Sequence, residues 1–216
     1  MLFPAIAYRT YEKLKDHKVF KKLYKQTIKR LRYIGIPTKR AELVHKLIDS
    51  EIKTLFLDDL VKENVSCKSG CSACCHTQVS ITSDEASLLV KQIVSGAEVD
   101  LRRLRLLADT GNNAEEFYKL SYEDRACPFL GAGDTCTVYE NRPSVCRTNH
   151  VVSEPVLCET RDGQEQAVRL LNTHRADMIM MAFFKNSKEN GALPKMLWKA
   201  LKRLEKTNSN AVVNKL

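Results

Sequence analysis

Glycine and proline are scarce in this chain of 216 residues, which contains 8 Gly and 6 Pro. This scarcity excludes collagen-like, linker-like and turn-rich all-β proteins, and it favours long helices. No segment approaches the roughly 20 consecutive apolar residues that a membrane-spanning helix needs. A short apolar stretch near the first residue lacks a preceding basic segment and a cleavage site, so we expect no signal peptide. We therefore expect a cytoplasmic protein, in a compartment where thiols stay reduced.

Charge divides the chain into three parts. Residues 1–66 carry a net charge of +7, residues 67–160 carry −4 and residues 161–216 carry +6, for a total of +9. We expect a basic helical N-terminal part, a metal-binding core and C-terminal helices that pack on this core. The length agrees with one folded unit, at about 150 residues per domain.

Apolar residues at helical spacing predict the helices of the first and third parts. A basic amphipathic helix is expected over residues 9–33 and a second helix over 38–63. In the third part, a helix over 163–185 contains the apolar run Met178–Phe184 and should lie in the core. A last helix is expected over 195–206, followed by a frayed tail.

Helix-capping residues occur at three positions in the middle part. They predict helix starts at Thr82 with Glu85, at Asp100, and at Asn113 with Glu116. The segment CPFLGAGDTCTVYE, residues 127–140, is expected to form a small β-hairpin. The predicted fold is thus mostly α, a single helical domain around an irregular cysteine-ligated metal centre.

All eight cysteines lie in the middle part, in one dense group and one dispersed group. The dense group is CKSGCSACC, with the spacing C-x3-C-x2-C-C. The full set is Cys67, Cys71, Cys74, Cys75, Cys127, Cys136, Cys146 and Cys158. Four cysteines within nine residues are far more than inert, buried thiols would supply, and metal binding is the usual explanation in a reducing compartment. We therefore take all eight as candidate metal ligands.

Zinc and an iron–sulfur cluster both agree with these cysteines. Structural zinc sites use close pairs of C-x2-4-C type, whereas the second group is widely spaced. Iron–sulfur proteins often combine a close triplet with a distant cysteine and a Cys-Pro dipeptide such as Cys127-Pro128, so we favour iron–sulfur slightly. Adjacent Cys74 and Cys75 should point to opposite faces of an extended segment. They should then serve two sites, or one of them should be a free thiol.

Four polar residues near the cysteines are candidates for a supporting or substrate-binding role. They are Arg142, Arg147, His76 and His150. An arginine can stabilise thiolates or hold a carboxylate or phosphate, and a surface ion pair is the alternative. With eight thiols available, we favour a supporting role over direct ligation for both histidines.

The two cysteine blocks resemble those of the YkgJ-type cysteine-cluster proteins, a family described as zinc- or iron-chelating. The matching blocks are CKSGCSACCHTQVSITSDEASLL, residues 67–89, and CPFLGAGDTCTVYENRPSVCR, residues 127–147. The resemblance implies that the first seven cysteines form the family's set, whereas Cys158 lies beyond the second block. A larger relative is the bacterial flagellin lysine N-methylase, so the resemblance also implies protein methylation as one activity.

Three functions stay open on this evidence. The first is an enzyme with an iron–sulfur cluster, in methyl transfer from S-adenosylmethionine to a protein substrate or in redox chemistry. The second is a zinc-stapled module that uses its basic ends to bind a partner, and the third is a metal-handling protein. The basic helix is better explained as a solvated face than as a nucleic-acid interface, because no named DNA- or RNA-binding pattern is present.

Overall fold

The computed structural model describes residues 2–68, 70–161, 163 and 166–213. This part of the chain contains ten α-helices and one two-stranded sheet, which confirms the mostly α fold. The helices are α1 (Ala5–Leu14), α2 (Lys18–Arg32), α3 (Pro37–Leu55), α4 (Asp59–Asn64), α5 (Ser83–Val94), α6 (Leu101–Asp109), α7 (Ala114–Tyr118), α8 (Ser144–Thr148), α9 (His174–Asn186) and α10 (Leu193–Val213). The strands are β1 (Ser80–Thr82) and β2 (Asn190–Ala192). None of the described helices is both long enough and apolar enough to cross a membrane.

The first part contains four helices rather than the two that were predicted. The helix expected over residues 9–33 is interrupted because His17 is extended, with φ −67° and ψ 126°. The interruption lets α1 and α2 pack separately on α9, and Thr10 Oγ1 donates to Asp177 Oδ2 at 2.8 Å. The helix expected over 38–63 is also divided, because Asp58 caps a new helix by accepting from the Leu60 amide.

Helix α9 forms the centre of the first hydrophobic core. Every residue from Ala176 to Phe184 is buried, as its apolar run predicted, and α1, α2 and α3 pack around it. The helix begins at His174 rather than near residue 163, so the predicted start was wrong. Of the residues expected to be helical before it, 164 and 165 lie outside the described residues, and Leu170 instead forms an antiparallel bridge with Val151. The hydrogen bonds of that bridge compete with a helix.

The second core lies between α5, α6 and α10, with Leu104 and Leu197 fully buried. Helix α10 extends past the predicted end at residue 206 to Val213, so residues 207–213 are helical rather than frayed. The rest of the expected tail, residues 214–216, lies outside the described residues.

The predicted helix starts in the middle part are largely confirmed. Thr82 and Glu85 form a complete capping box at α5, and the Asp100 side chain accepts from the Arg103 amide at α6. Asn113 caps α7 through the Glu115 amide. The second predicted box is not formed, because Glu116 pairs with Lys119 instead. These caps are local in sequence, so residue type was sufficient to predict most of them.

The two strands join distant parts of the chain. Ile81 in β1 pairs with Gly191 in β2, and the strands lead directly into α5 and α10. A Cβ at Gly191 would lie 2.7 Å from Asn112 Oδ1, which accepts from the Ala192 amide at 2.9 Å. Only glycine therefore fits this contact without displacing Asn112.

The segment predicted as a hairpin turns back on itself around residues 131–135. An antiparallel bridge joins Leu130 to Cys136, and the Gly131 amide donates to the Thr135 carbonyl at 2.8 Å. Gly133 occupies the left-handed region at φ 66°. This turn returns the chain so that Cys127 and Cys136 come to the same region.

Candidate metal centre

Seven of the eight cysteines line a single cavity of about 490 Å³. They are Cys67, Cys71, Cys74, Cys75, Cys127, Cys136 and Cys146. All eight cysteines are free thiols and each is partly exposed. The cavity therefore unites the dense and the dispersed cysteine groups, which are at least 52 residues apart in sequence.

Backbone hydrogen bonds hold these segments together. The Cys127 amide donates to the Cys75 carbonyl at 2.8 Å. The Val151 amide donates to the Cys67 sulfur at 3.2 Å, and the Ser66 amide returns a bond to the Val151 carbonyl at 2.8 Å. The first cysteine loop is thus attached at both of its ends to segments of the second half of the site.

Cys74 and Cys75 both face the cavity, so the expectation that they point to opposite faces was wrong. They lie in a 3-10 turn, Ala73–His76, rather than in an extended segment, and this turn places neighbouring side chains closer together. The Cys75 thiol hydrogen-bonds to Cys74, which lowers the pKa of Cys74 to about 7, and the same interaction raises the pKa of Cys75.

Burial raises the pKa of the other thiols for which a shift is resolved. It raises the pKa of Cys127 to about 12 and that of Cys158 to about 11. The pKa values of Cys67, Cys136 and Cys146 are raised in the same direction by the same cause. Because metals bind the thiolate, an incoming ion must displace these protons, and its affinity should increase with pH.

The thiols that influence one another fall into two groups. Cys67, Cys71 and Cys158 form one group: besides burial and Cys74, the first two raise the pKa of the third. Cys75, Cys127, Cys136 and Cys146 form the other. Cys74 acts on members of both groups. Cys158 does not line the cavity, but its turn, Pro155–Cys158, packs against the turn Ala73–His76.

The donor set fits a thiophilic metal, since seven thiols share one enclosed space. Within the described residues, however, no three His, Cys, Asp or Glu side chains are close enough to hold an ion as they stand. Completing a site therefore requires side-chain rotation or loop closure. Metal binding should accordingly stabilise the cysteine loops.

Arg142 acts on three of the thiols. It lines the cavity, and its guanidinium lies 3.8 Å from the centre of the Tyr139 ring. Its positive charge acts to lower the pKa of Cys74, Cys136 and Cys146. It is therefore placed to stabilise thiolates, which is one of the two roles expected for it.

Arg147 is turned away from the cysteines. Its side chain is 3% exposed and pairs with Asp49 Oδ2 on α3 at 2.6 Å. It also donates to the backbone carbonyls of Arg142, at 2.9 Å, and Glu140. These contacts attach α8, which carries Cys146, to α3. Arg147 therefore stabilises the position of Cys146 indirectly.

The two histidines differ in position. His150 lines the cavity, and neither of its ring nitrogens makes a hydrogen bond to a described residue. Burial lowers the pKa of His150. His76 instead stacks on Tyr122, with ring centroids 3.9 Å apart, and its Nδ1 lies 2.8 Å from the Tyr122 carbonyl. His150 is thus the histidine available to a ligand.

Two residues of the site could not be recognised from sequence. Arg125 is 1% exposed and lines the cavity, yet only its position two residues before Cys127 hints at a role. Glu85 was identified as a capping residue, but its Oε1 also accepts from the Ser144 amide and hydroxyl, both at 2.7 Å. Glu85 thereby fixes the start of the helix that presents Cys146.

This arrangement defines a class of protein, a helical frame around a thiol-lined cavity. Residues 66–171, nearly half of the chain, match the model of the CxxCxxCC family, described as "Putative zinc- or iron-chelating domain". This match confirms the resemblance to the cysteine-cluster family and supports metal binding as the function. The matched segment contains all eight cysteines. No curated protein and no solved structure matches the chain.

Proposed function

We propose that the protein binds metal in two four-cysteine sites that meet at the Cys74–Cys75 turn. The shared cavity is the observation that carries this proposal. Cys71 and Cys74 act on the pKa of Cys67, and all three act on that of Cys158, which supports one site made of these four cysteines. The mutual influence of the other thiols supports a second site made of Cys75, Cys127, Cys136 and Cys146. Arg142 would offset part of the negative charge that metal-bound thiolates carry.

We favour iron–sulfur over zinc for these sites. The C-x3-C-x2-C spacing and the Cys127-Pro128 dipeptide support iron–sulfur. The cavity is also larger than a closed, four-coordinate zinc site requires. The cytoplasm remains the proposed compartment, because the cysteines are all free thiols and reduced thiols are typical there.

Anaerobic purification tests the metal directly. Metal and sulfide analysis together with a visible absorption spectrum should show iron, acid-labile sulfide and a broad charge-transfer band. A colourless protein with zinc and no sulfide would overturn the iron–sulfur assignment but keep the cysteine-cluster function. A protein that holds neither metal under reducing, anaerobic conditions would overturn the function itself.

Single cysteine variants test the two-site arrangement. Cys71→Ser should remove the metal of the first site and Cys127→Ser that of the second, so each should lose about half of the bound metal. Both variants should also have a lower Tm. Ser72→Ala, in the same loop, is the matched control and should keep full metal content. Full metal content and stability in Cys71→Ser would show that the ligand assignment is wrong.

Methyl transfer from S-adenosylmethionine to a protein lysine is a second candidate function. The feature that favours it over a purely structural zinc staple or a metal-handling role is the ligand-sized space beside the cysteines. Its test is incubation of the metal-loaded protein with labelled S-adenosylmethionine and a lysine-rich protein substrate. Exchange of metal with a chelator within minutes would favour metal handling instead.

A further inference from the structure

The cysteine cavity has more room and more apolar wall than metal ligation uses. The cavity measures about 490 Å³, and only seven of the 27 residues that line it are thiols that would hold a metal ion or an iron–sulfur cluster. Besides the thiols, its wall includes Leu107, Phe117, Phe129 and Leu193. A mainly apolar cavity of this size with a few polar groups is typical of small-molecule sites.

The unsatisfied polar atoms of the described residues converge on this cavity. Four buried side-chain nitrogens lack a hydrogen-bond partner there, and they belong to Gln78, Arg125 and His150. All three residues line the cavity. Because a buried polar group without a partner is destabilising, such a concentration points to a ligand that supplies the missing partners.

Arg125 carries the most informative of these atoms. Its described hydrogen-bond partners are neutral: Thr160 Oγ1 at 2.8 Å, the Thr160 carbonyl, and the His76 carbonyl at 3.5 Å. These three bonds use the two Nη atoms and leave Nε without a partner. A guanidinium has five N–H groups, so donors remain on the edge that Nε and Nη2 share.

Elsewhere in this chain the same edge of an arginine binds a carboxylate. Arg40 donates from Nε and Nη2 to the two oxygens of Asp84 at 2.6 and 2.8 Å. Arg175 uses the same two atoms to bind Glu51 at 2.6 and 3.0 Å. The edge of Arg125 has the same donor geometry, and it belongs to a residue that lines the cavity.

The two arginines of the cavity wall serve different regions. The charge of Arg142 acts on three cysteines, whereas the charge of Arg125 acts on Tyr122. The Arg125 guanidinium lies over the Tyr118 and Tyr122 rings, at 5.1 and 5.6 Å. Its charge is therefore available to something other than the metal centre.

We propose that the cavity binds a small organic carboxylate beside the cysteine cluster. The carboxylate group would accept two hydrogen bonds from the Nε–Nη2 edge of Arg125, and its apolar body would pack against Phe117 and Leu193. A bidentate, charge-assisted pair of this kind favours a planar carboxylate over a neutral amide of the same shape. The inference rests on the proposed function only in placing a metal next to this ligand.

Isothermal titration calorimetry on the metal-containing protein tests the proposal. The probes are hexanoate, phenylacetate and S-adenosylmethionine, with hexanamide, phenylacetamide and inorganic phosphate as controls. At least one carboxylate should bind with 1:1 stoichiometry and roughly 10-fold or more tightly than its amide or than phosphate. Equal binding of carboxylate and amide, tightest binding of phosphate, or no binding of any carboxylate would overturn the proposal.

Variants at Arg125 connect binding to this residue. Arg125→Gln should weaken carboxylate binding about 10- to 100-fold, and Arg125→Lys should weaken it less, because lysine keeps the charge but loses the fork. Arg161→Gln is the matched control, since Arg161 is an exposed arginine over the same Tyr122 ring, and it should bind normally. Unchanged affinity in a folded Arg125→Gln would contradict the assignment. If that variant does not fold, the carboxylate–amide comparison on the wild type decides alone.

Metal analysis of each sample separates this inference from the proposed function. A wild-type protein that contains metal but binds no carboxylate would refute the carboxylate site and leave the metal function intact. A wild-type protein that binds carboxylate but holds no metal would refute the metal function and leave the carboxylate site intact. Arg125→Gln should retain its full metal content, because its side chain is not a metal ligand.

Discussion

Replacement of Glu85 by glutamine should destabilise the protein more than its conservative chemistry suggests. The carboxylate is 1% exposed and accepts five hydrogen bonds. One oxygen serves the Ser144 amide and hydroxyl and His45 Nε2, and the other serves the Thr82 amide and hydroxyl. The side chain thereby joins α3, the start of α5 and the start of α8.

The expected loss can be worked out from these contacts. In Glu85→Gln the side-chain amide nitrogen would replace one carboxylate oxygen and face the buried Thr82 amide, which loses its acceptor at a cost of about 1–3 kcal/mol. Loss of the negative charge also weakens the bonds at the remaining oxygen by about 1 kcal/mol or more in sum. We expect the substitution to reduce the free energy of unfolding by about 3 kcal/mol, and Tm by about 6–12 °C.

The assay is urea denaturation followed by circular dichroism, with Glu42→Gln as the control. Glu42 also accepts from two cations, Lys39 and Lys91, but at the surface, where such pairs contribute about 0–1 kcal/mol. A loss below about 1 kcal/mol for Glu85→Gln at pH 7 would refute the reasoning, because five buried bonds would then contribute no more than a surface pair.

The stability difference between wild type and Glu85→Gln should also depend on pH. Burial acts to raise the pKa of Glu85, but the hydrogen bonds from His45, Ser144 and Thr82 outweigh it, and the pKa is lowered. The stabilisation is therefore present above the unfolded-state pKa of about 4.3 and is lost as pH falls through the folded-state pKa. The stability gap between wild type and Glu85→Gln should narrow as pH is lowered from about 5 to 3. A gap that stays constant over this range would contradict the assignment of the charge.

Two further predictions concern packing around the site. Arg147→Met removes a buried cation that links α8 to α3, and chemical denaturation should show a free energy of unfolding lower by about 3 kcal/mol. Arg175→Met removes one partner of an exposed ion pair and should lower it by less than about 1 kcal/mol. Similar losses in the two variants would show that burial does not matter here. Gly191→Ala places a Cβ against Asn112 and should lower stability by about 1–3 kcal/mol. Gly35→Ala meets open space and should change stability by no more than about 0.5 kcal/mol, so equal Tm values for the two alanine variants would be inconsistent with the predicted clash.

Local chemistry makes some features of this protein predictable from its residues alone. The capping box of Thr82 and Glu85 needs only four consecutive residues, and its hydrogen bonds form within them. The burial of α9 follows from an apolar run that no surface helix would carry. The cysteine spacing similarly indicates a metal centre, because the chemistry of the donor is in the residue type.

Other features depend on contacts between distant residues and could not be predicted. The break at His17 carries no glycine or proline, and it exists because α1 and α2 each pack on α9. The strands are three residues long, too short for a periodic pattern, and they pair across more than a hundred residues. Cys74 and Cys75 face the same cavity because they lie in a 3-10 turn. No residue type in that segment requires this turn.

The sequence by itself determined the class of this protein: a mostly helical chain, an acidic cysteine-rich centre between basic ends, and a segment that matches a family of chelating domains. Tertiary structure alone decided which residues share the centre. It brought seven thiols to one cavity, turned Arg147 toward α3, and placed Arg125 in the cavity wall beside unsatisfied donors. The physical reason is that ligand type depends on the chemistry of one side chain, whereas burial, pairing and orientation depend on what the folded chain packs against it.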